Sequence, residues 1–237
     1  MRTRLAGVSM ALLCCLSLST AAPRAGVDDA YQAIRTNDLV RLKALFGSPA
    51  DVNAPGDSGN TPLMDAATAG SVDAMKLLID KGADVNAQNA FGTPPLTMSA
   101  TDISKARLLL DRGAKPTITS KQGRTVLFVA AMSDPSADIV RLLIAKGADL
   151  HAKDAFGNTV LDAAAVGNDI GTIRIVIDAG LDVNGAGVTG MTPLIISAYH
   201  GNLTAVKLLL SKGAGVNAVA KAPQLMPSPG PKSGPLA

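Results

Sequence analysis

Residues 59–86 read GNTPLMDAATAGSVDAMKLLIDKGADVN, and this stretch decides the fold. Its opening Gly59 returns as Gly92, Gly123, Gly157 and Gly190, at intervals of 33, 31, 34 and 33 residues. The later Gly82 returns as Gly113, Gly147, Gly180 and Gly213, at intervals of 31, 34, 33 and 33. The two series keep step, so the repeating object is a whole unit with small insertions and deletions. A period in this range is the signature of stacked structural repeats.

Each unit carries the same local signals. The first glycine is followed by Thr61-Pro62-Leu63, Pro94-Pro95-Leu96, Thr125-Val126-Leu127, Thr159-Val160-Leu161 and Thr192-Pro193-Leu194. Thr caps a helix, and Pro is tolerated in the first turn because its missing N–H would have no partner there. Short Ala-rich helices are therefore expected over Leu63–Ala69, Leu161–Val166 and Leu194–Tyr199. Breaks follow at Gly70, Gly167-Asn168 and Gly201-Asn202. A second, Val/Leu-rich helix then runs over Val72–Asp80 and Leu203–Ser211. It ends at a glycine able to take the left-handed conformation. Paired apolar residues such as Leu142 and Leu143 belong to its core face. Asp84-Val85-Asn86, Asp149-Leu150 and Asp182-Val183-Asn184 come after that glycine.

These residues closely resemble the ankyrin repeat. The resemblance covers residues 26–218 and implies an all-α solenoid of about six helix-turn-helix units joined by β-hairpin loops. One unit cannot bury its own apolar face, so stacking supplies the core. A unit upstream, marked by Asp51-Val52-Asn53 with Val27-Asp28-Asp29 in place of the Thr-Pro-Leu element, reads as the N-terminal cap. Three departures stand out. The unit from Asn89 is two residues short, so its first helix, near Thr97 to Asp102, should be truncated and residues 93–104 softened. The unit from Ser120 has one extra residue at Asp134-Pro135-Ser136, which should bulge its inter-helix turn. The family's His after Thr-Pro-Leu is replaced by Met64, Thr97, Phe128, Asp162 and Ile195, so the inter-repeat hydrogen bonds of that His are absent.

The two ends read differently. Arg2 and Arg4 precede a nearly uninterrupted apolar run, Leu5–Leu18, and a small-residue stretch, Ser19–Ala25. This is the order of a secretory signal peptide, with cleavage expected after Ala21 or Ala25. The run is shorter than the ~20 residues a membrane-spanning helix requires. Cys14 and Cys15 lie within it, so the mature chain would hold no cysteine and no disulfide. Leu12 and Leu13 stand before Cys14 where a lipoprotein signal wants small residues. The expected division is a signal peptide over 1–25, repeats over 26–218, and a Pro-rich disordered tail over 219–237. The full chain has 22 basic and 19 acidic residues. Loss of Arg2, Arg4 and Arg24 would balance them at 19 each. All four basic residues after Asp182 are lysines, and no acid follows it.

Composition excludes several activities. Every acidic residue is Asp, which removes Glu-dependent zinc proteases and Glu-based glycosidase pairs. Aromatics are 3% of the chain, too few for nucleic-acid stacking platforms. Gly56-Asp57-Ser58-Gly59 imitates a serine-protease nucleophile segment, yet His151 and His200 both lie downstream and no triad is in prospect. Gly185–Gly190 spells the dinucleotide fingerprint without the acidic residue that must follow. No zinc, calcium or phosphate-loop spacing occurs. Asn202-Leu203-Thr204 is a glycosylation sequon at a tight turn.

The ankyrin resemblance implies binding to another protein through the hairpin tips and the inner face of the short helices. Carried over by position, the tips include Phe91, Lys121, Arg124, Phe156 and Met191. The inner helix ends present Thr68, Met132, Val166, Tyr199 and His200. Phe91, Phe156, Met191 and Tyr199 are the expected apolar anchors, with Lys121 and Arg124 supplying charge. Aromatic and Arg residues tend to carry interface energy. A competing possibility is that Phe91 and Phe156 merely pack against the next hairpin. The expected protein is an exported, periplasmic or secreted, non-enzymatic monomer binding or protecting an envelope or secreted protein. It would need no cofactor, metal or nucleic acid and would not insert in a membrane. The alternatives are an effector acting on host proteins, or a small-molecule binder or enzyme on a repeat scaffold.

Overall fold

The computed structural model describes residues 25–47, 49–56, 59–133 and 135–220. The proposed signal segment and most of the Pro-rich tail lie outside them. Helices α1 (Ala25–Arg35), α2 (Leu39–Leu45) and α3 (Pro49–Val52) form the first unit. Five helix pairs follow: α4 (Pro62–Ala69) with α5 (Val72–Asp80), α6 (Pro95–Met98) with α7 (Ile103–Asp111), and α8 (Val126–Ala131) with α9 (Ala137–Ala145). The last two are α10 (Val160–Gly167) with α11 (Ile170–Asp178), and α12 (Pro193–Tyr199) with α13 (Leu203–Ser211). The first helices of successive pairs stack in one row and the second helices in another. The expected helices over Val72–Asp80 and Leu203–Ser211 form with those bounds. The upstream unit is helix-turn-helix as expected.

The core runs between the rows. Met75, Leu78, Ala106, Leu109, Val140, Leu143, Ile173, Val176 and Leu209 are buried along the second helices. Both glycine series have positive φ, between 71° and 101°. At Gly123 a Cβ would also stand 2.9 Å from the Ala155 amide nitrogen, so that close approach of two loops requires glycine. At Gly167 it would meet the Ala131 carbonyl oxygen at 2.6 Å, so glycine lets α10 close against the end of α8.

The loops are tighter than β-hairpins, and no strand forms among the described residues. The first four close with two backbone bonds across the turn, such as Ser120 N–H to Arg124 O at 3.0 Å and Gly123 N–H to Ser120 O at 2.8 Å. A single bond joins each to the next: Lys121 to Phe91, Ala155 to Gln122 and Val188 to Phe156. The arms are too short to build a ladder.

Asparagine side chains after the second helices bond from one unit to the next. Asn53 donates to Gly82 O and accepts from Asp84 N–H. Asn86 and Asn184 do the same with Gly113 and Lys115, and with Gly213 and Gly215. Thr117 and His151 stand at the corresponding positions of the third and fourth units.

The truncated unit behaves as expected in length and differently in packing. Its first helix is one turn, Pro95–Met98, and begins before the position anticipated. The surrounding residues Pro94–Thr97, Ser99 and Ala100 are nevertheless buried. Lys105 is buried too, and its Nζ donates to Ala67 O at 3.1 Å, across the unit boundary. A long side chain thus satisfies a carbonyl beside the shortened helix.

The extra residue between α8 and α9 lengthens that connection to residues 132–136, against 70–71 between α4 and α5. Ser136 at the start of α9 makes no side-chain cap bond. The cap comes from the next unit: Asp169 Oδ2 accepts from Ser136 N–H at 2.7 Å and Ala137 N–H at 2.8 Å. Hydroxyls of Ser136 and Thr172 donate to the same oxygen. Partial burial would raise the Asp169 pKa. The bonds from Ser136, Thr172 and Gly171 outweigh that and hold it below the ordinary carboxylate value.

Two stability predictions follow from this packing. Leu143 is fully buried, whereas Leu142 is only half-buried. Leu143→Ala should cost about 2–5 kcal/mol in urea denaturation, and Leu142→Ala distinctly less. Equal costs would mean that the helix face is misassigned. Asp169→Ala should cost about 1–3 kcal/mol at neutral pH, because it strands the amides opening α9. With its folded pKa depressed, the contribution of Asp169 is complete above the unfolded value and vanishes as pH falls through the folded one. Thermal melts of variant and wild type should therefore converge in acid.

Candidate protein-binding groove

The first-row helices and loop tips line the side of the stack where the anticipated residues gather. The loop tips are shaped by short polar side chains at their first position. Asn89 Oδ1 accepts from Phe91 N–H and Thr93 N–H, at 2.9 and 3.0 Å. Asp154 Oδ1 accepts from Phe156 N–H and Asn158 N–H, both at 2.9 Å. These turns hold Phe91 and Phe156 outward. Their carbonyls join the next loop, but the side chains are 69% and 54% exposed. Packing against the neighbouring hairpin therefore involves the backbone and leaves both rings largely free. Tyr199 is 81% exposed at the end of α12, with the His200 ring edge-on at 5.4 Å. Thr68, Met132 and Val166 are exposed at the ends of their helices, as expected.

Five of the seven anticipated binding residues line one cavity of about 420 Å³: Arg124, Phe156, Met191, Tyr199 and His200. It spans the last three units. Phe91 and Lys121 line a neighbouring groove of about 450 Å³, and Arg124 borders both. The seven residues thus form two adjoining grooves, with the Arg124 guanidinium between them, 5.5 Å over the Phe128 ring.

Sequence reasoning found the rim of the larger groove and missed its floor. Phe128, Asp154, Asp162, Ala163 and Ile196 line it and are buried. Asp154 is matched inside the protein. Besides the two amides, Asn158 Nδ2 donates to it, and Arg124 Nε lies 3.8 Å from its Oδ2. Asp162 occupies the third position of α10, one of those where the family's His is missing. Its Oδ2 accepts from Thr159 N–H at 2.7 Å and Thr159 Oγ1 at 2.9 Å, closing a capping box. Its Oδ1 is buried with no hydrogen-bond partner. Burial pushes the Asp162 pKa up to about 6, against the lowering effect of the Thr159 bonds and with a smaller upward push from Asp154. The departure from the repeat pattern at Asp162 was the available signal.

The groove offers an apolar wall and exposed aromatic anchors, and its lining includes Asp162, whose Oδ1 is buried and unpartnered. The bonds Asp162 accepts come from the amide and hydroxyl of Thr159 at the start of its own helix. Among the described residues no cluster of three or more potential metal ligands occurs, and no helix is long and apolar enough to cross a membrane. Gly185–Gly190 forms an inter-repeat turn, with Gly190 N–H bonded to Gly187 O. The sequon Asn202 begins α13, and its side chain donates to Ala165 O.

The raised pKa of Asp162 has a direct consequence for stability. The folded chain holds the Asp162 proton more tightly than the unfolded chain does. Stability from this group is therefore full below the unfolded pKa and falls as pH rises through about 6. Asp162→Asn keeps an acceptor for Thr159 and removes the buried charge. It should stabilise the protein by about 2–3 kcal/mol at pH 8, with the gain disappearing below pH ~4. Denaturant titrations at several pH values test this, and a pH-independent difference would overturn it.

Comparison with known proteins agrees with the geometry. The family model described as ankyrin repeats (3 copies) matches residues 30–120, 82–154, 100–187 and 127–220. A curated relative, Zygote-specific protein 3 of Chlamydomonas reinhardtii, is 30% identical over 163 residues, 68% of this chain. The chain spans only 35% of that relative's length. With family matches reaching from residue 30 to residue 220, across every helix pair of the stack, the chain belongs to the ankyrin-repeat family.

Proposed function

We propose that this protein is an exported, non-enzymatic interaction module, acting as a monomer, that binds an envelope or secreted protein through the groove over its last three units. Ankyrin repeats indicate a protein-interaction module. The observation that carries the assignment to this face is the convergence of Arg124, Phe156, Met191, Tyr199 and His200 on one cavity. Phe156 and Tyr199 expose large aromatic surfaces at its rim, the residue type that concentrates binding energy when an interface closes over it. Export rests on the sequence Arg2–Ala25.

The test is affinity capture from envelope extract of the source organism with the chain from Ala22 onward, followed by mass spectrometry. Phe156→Ala/Tyr199→Ala is the matched control. Both side chains are exposed, so the double variant should keep its helicity. One protein should be recovered in stoichiometric amount and bound roughly tenfold or more weakly by the control. Equal capture by both forms would remove the function from this face.

A further inference from the structure

We propose that the groove is a socket for a basic side chain, the Lys or Arg of an extended protein segment, whose cationic end pairs with Asp162. This rests on the groove being the protein-binding site and specifies what it reads there. The charge balance around the groove carries the inference. Asp154 is matched by the Arg124 guanidinium, by Asn158 and by its own loop amides. Asp162 has no cation in contact, and its Oδ1 is a buried acceptor without a donor. The residue is only 2% exposed, although it lines the cavity. A buried polar group left unpaired is costly, and a buried charge more so. A donor brought in by a ligand removes that cost, and a positive donor removes the charge penalty as well.

The approach to Asp162 suits a long side chain with an apolar stem. Phe128, Ala163 and Ile196 are buried lining of the same cavity, and Met132, Val166 and Met191 are its more exposed apolar lining. Methionine is unbranched and adapts its shape, so Met132 and Met191 can part for a narrow alkyl chain. Lys and Arg bury such stems while keeping the charge at the tip. The adjoining groove works against the same ligand. Lys121 lines it, and no carboxylate does, while the Arg124 that borders both grooves is paired with Asp154. A basic residue is therefore repelled there and directed to Asp162, which also fixes the register of the bound segment.

The proposal is tested with a random dodecapeptide library displayed on phage and panned against the purified full chain. Enriched peptides should share a Lys or Arg at one position. A synthetic member should bind Asp162→Asn roughly 10- to 100-fold more weakly than wild type, the worth of a hydrogen bond to a charged group. Replacing its key Lys by norleucine, or its Arg by citrulline, should weaken binding to wild type by a similar factor. The same replacement should change little against Asp162→Asn, because the two changes remove one shared interaction. The peptide-side replacement also protects the test against any folding defect in the variant. Suppose the enriched peptides need Phe156 and Tyr199 but tolerate loss of their basic residue. The groove then stands as a binding site and the socket is wrong. If no peptide is enriched, or if binding ignores Phe156→Ala/Tyr199→Ala, the groove itself is wrong and the socket falls with it.

Discussion

No helix pair in this chain can bury its own apolar face, and everything else depends on that constraint. Leu78, Leu109, Leu143, Val176 and Leu209, one position in five successive pairs, are fully shielded between the two rows. The next position shows what a missing neighbour exposes. Leu210 on α13 is 43% exposed, whereas Leu110 at the same position of α7 is buried. Burial in a solenoid is a property of the joint between units, so stability is a sum over joints. Each joint must also satisfy the polar groups that helix ends leave over. This second requirement is where the units differ from one another.

The joints are closed by different means. Asn53, Asn86 and Asn184 tie a loop to the end of the next second-row helix. Thr117 and His151 interrupt this series. The joint after His151 lacks the bridge between second-row helices that Arg112–Asp80, Lys146–Asp111 and Lys212–Asp178 provide elsewhere. Those pairs are exposed and contribute little individually. The Asp169 cluster sits at this same joint, between α9 and α11, and ties the lengthened turn to the following unit. An irregularity in one repeat is thus absorbed by a side chain in the next.

This explains how much the sequence could disclose. The two glycine series, the helices over Val72–Asp80 and Leu203–Ser211 and the shortening of the Asn89 unit all follow from local rules repeated in register. The bridging role of Lys105 and the trans cap from Asp169 do not, because each joins residues more than thirty positions apart. Nothing in a local pattern distinguishes Asp169 from the caps Asp38 or Asp102, which bond only within their own units. The binding residues divide the same way. Phe91 and Phe156 occupy loop tips and Tyr199 a helix end, places whose position in the repeat fixes their exposure. Asp154 and Asp162 are buried, and their different roles depend on whether Arg124 reaches them.

The floor of the groove is where the sequence leaves the repeat pattern at a cost to stability. Five units place Met64, Thr97, Phe128, Asp162 and Ile195 at one position. Only Asp162 brings a formal charge there. An apolar residue of similar size would satisfy packing, as Phe128 and Ile195 do in the adjacent units. The capping box with Thr159 does not require this cost, since Thr125 caps α8 and Thr192 caps α12 without a carboxylate partner. Helix formation therefore leaves the buried charge unexplained, and so does core packing. Places where local consistency fails without structural gain are where a folded chain tends to carry its function. Here that place lies beneath the aromatic rim built by Phe156 and Tyr199, in the cavity where the exposed anchors already converge.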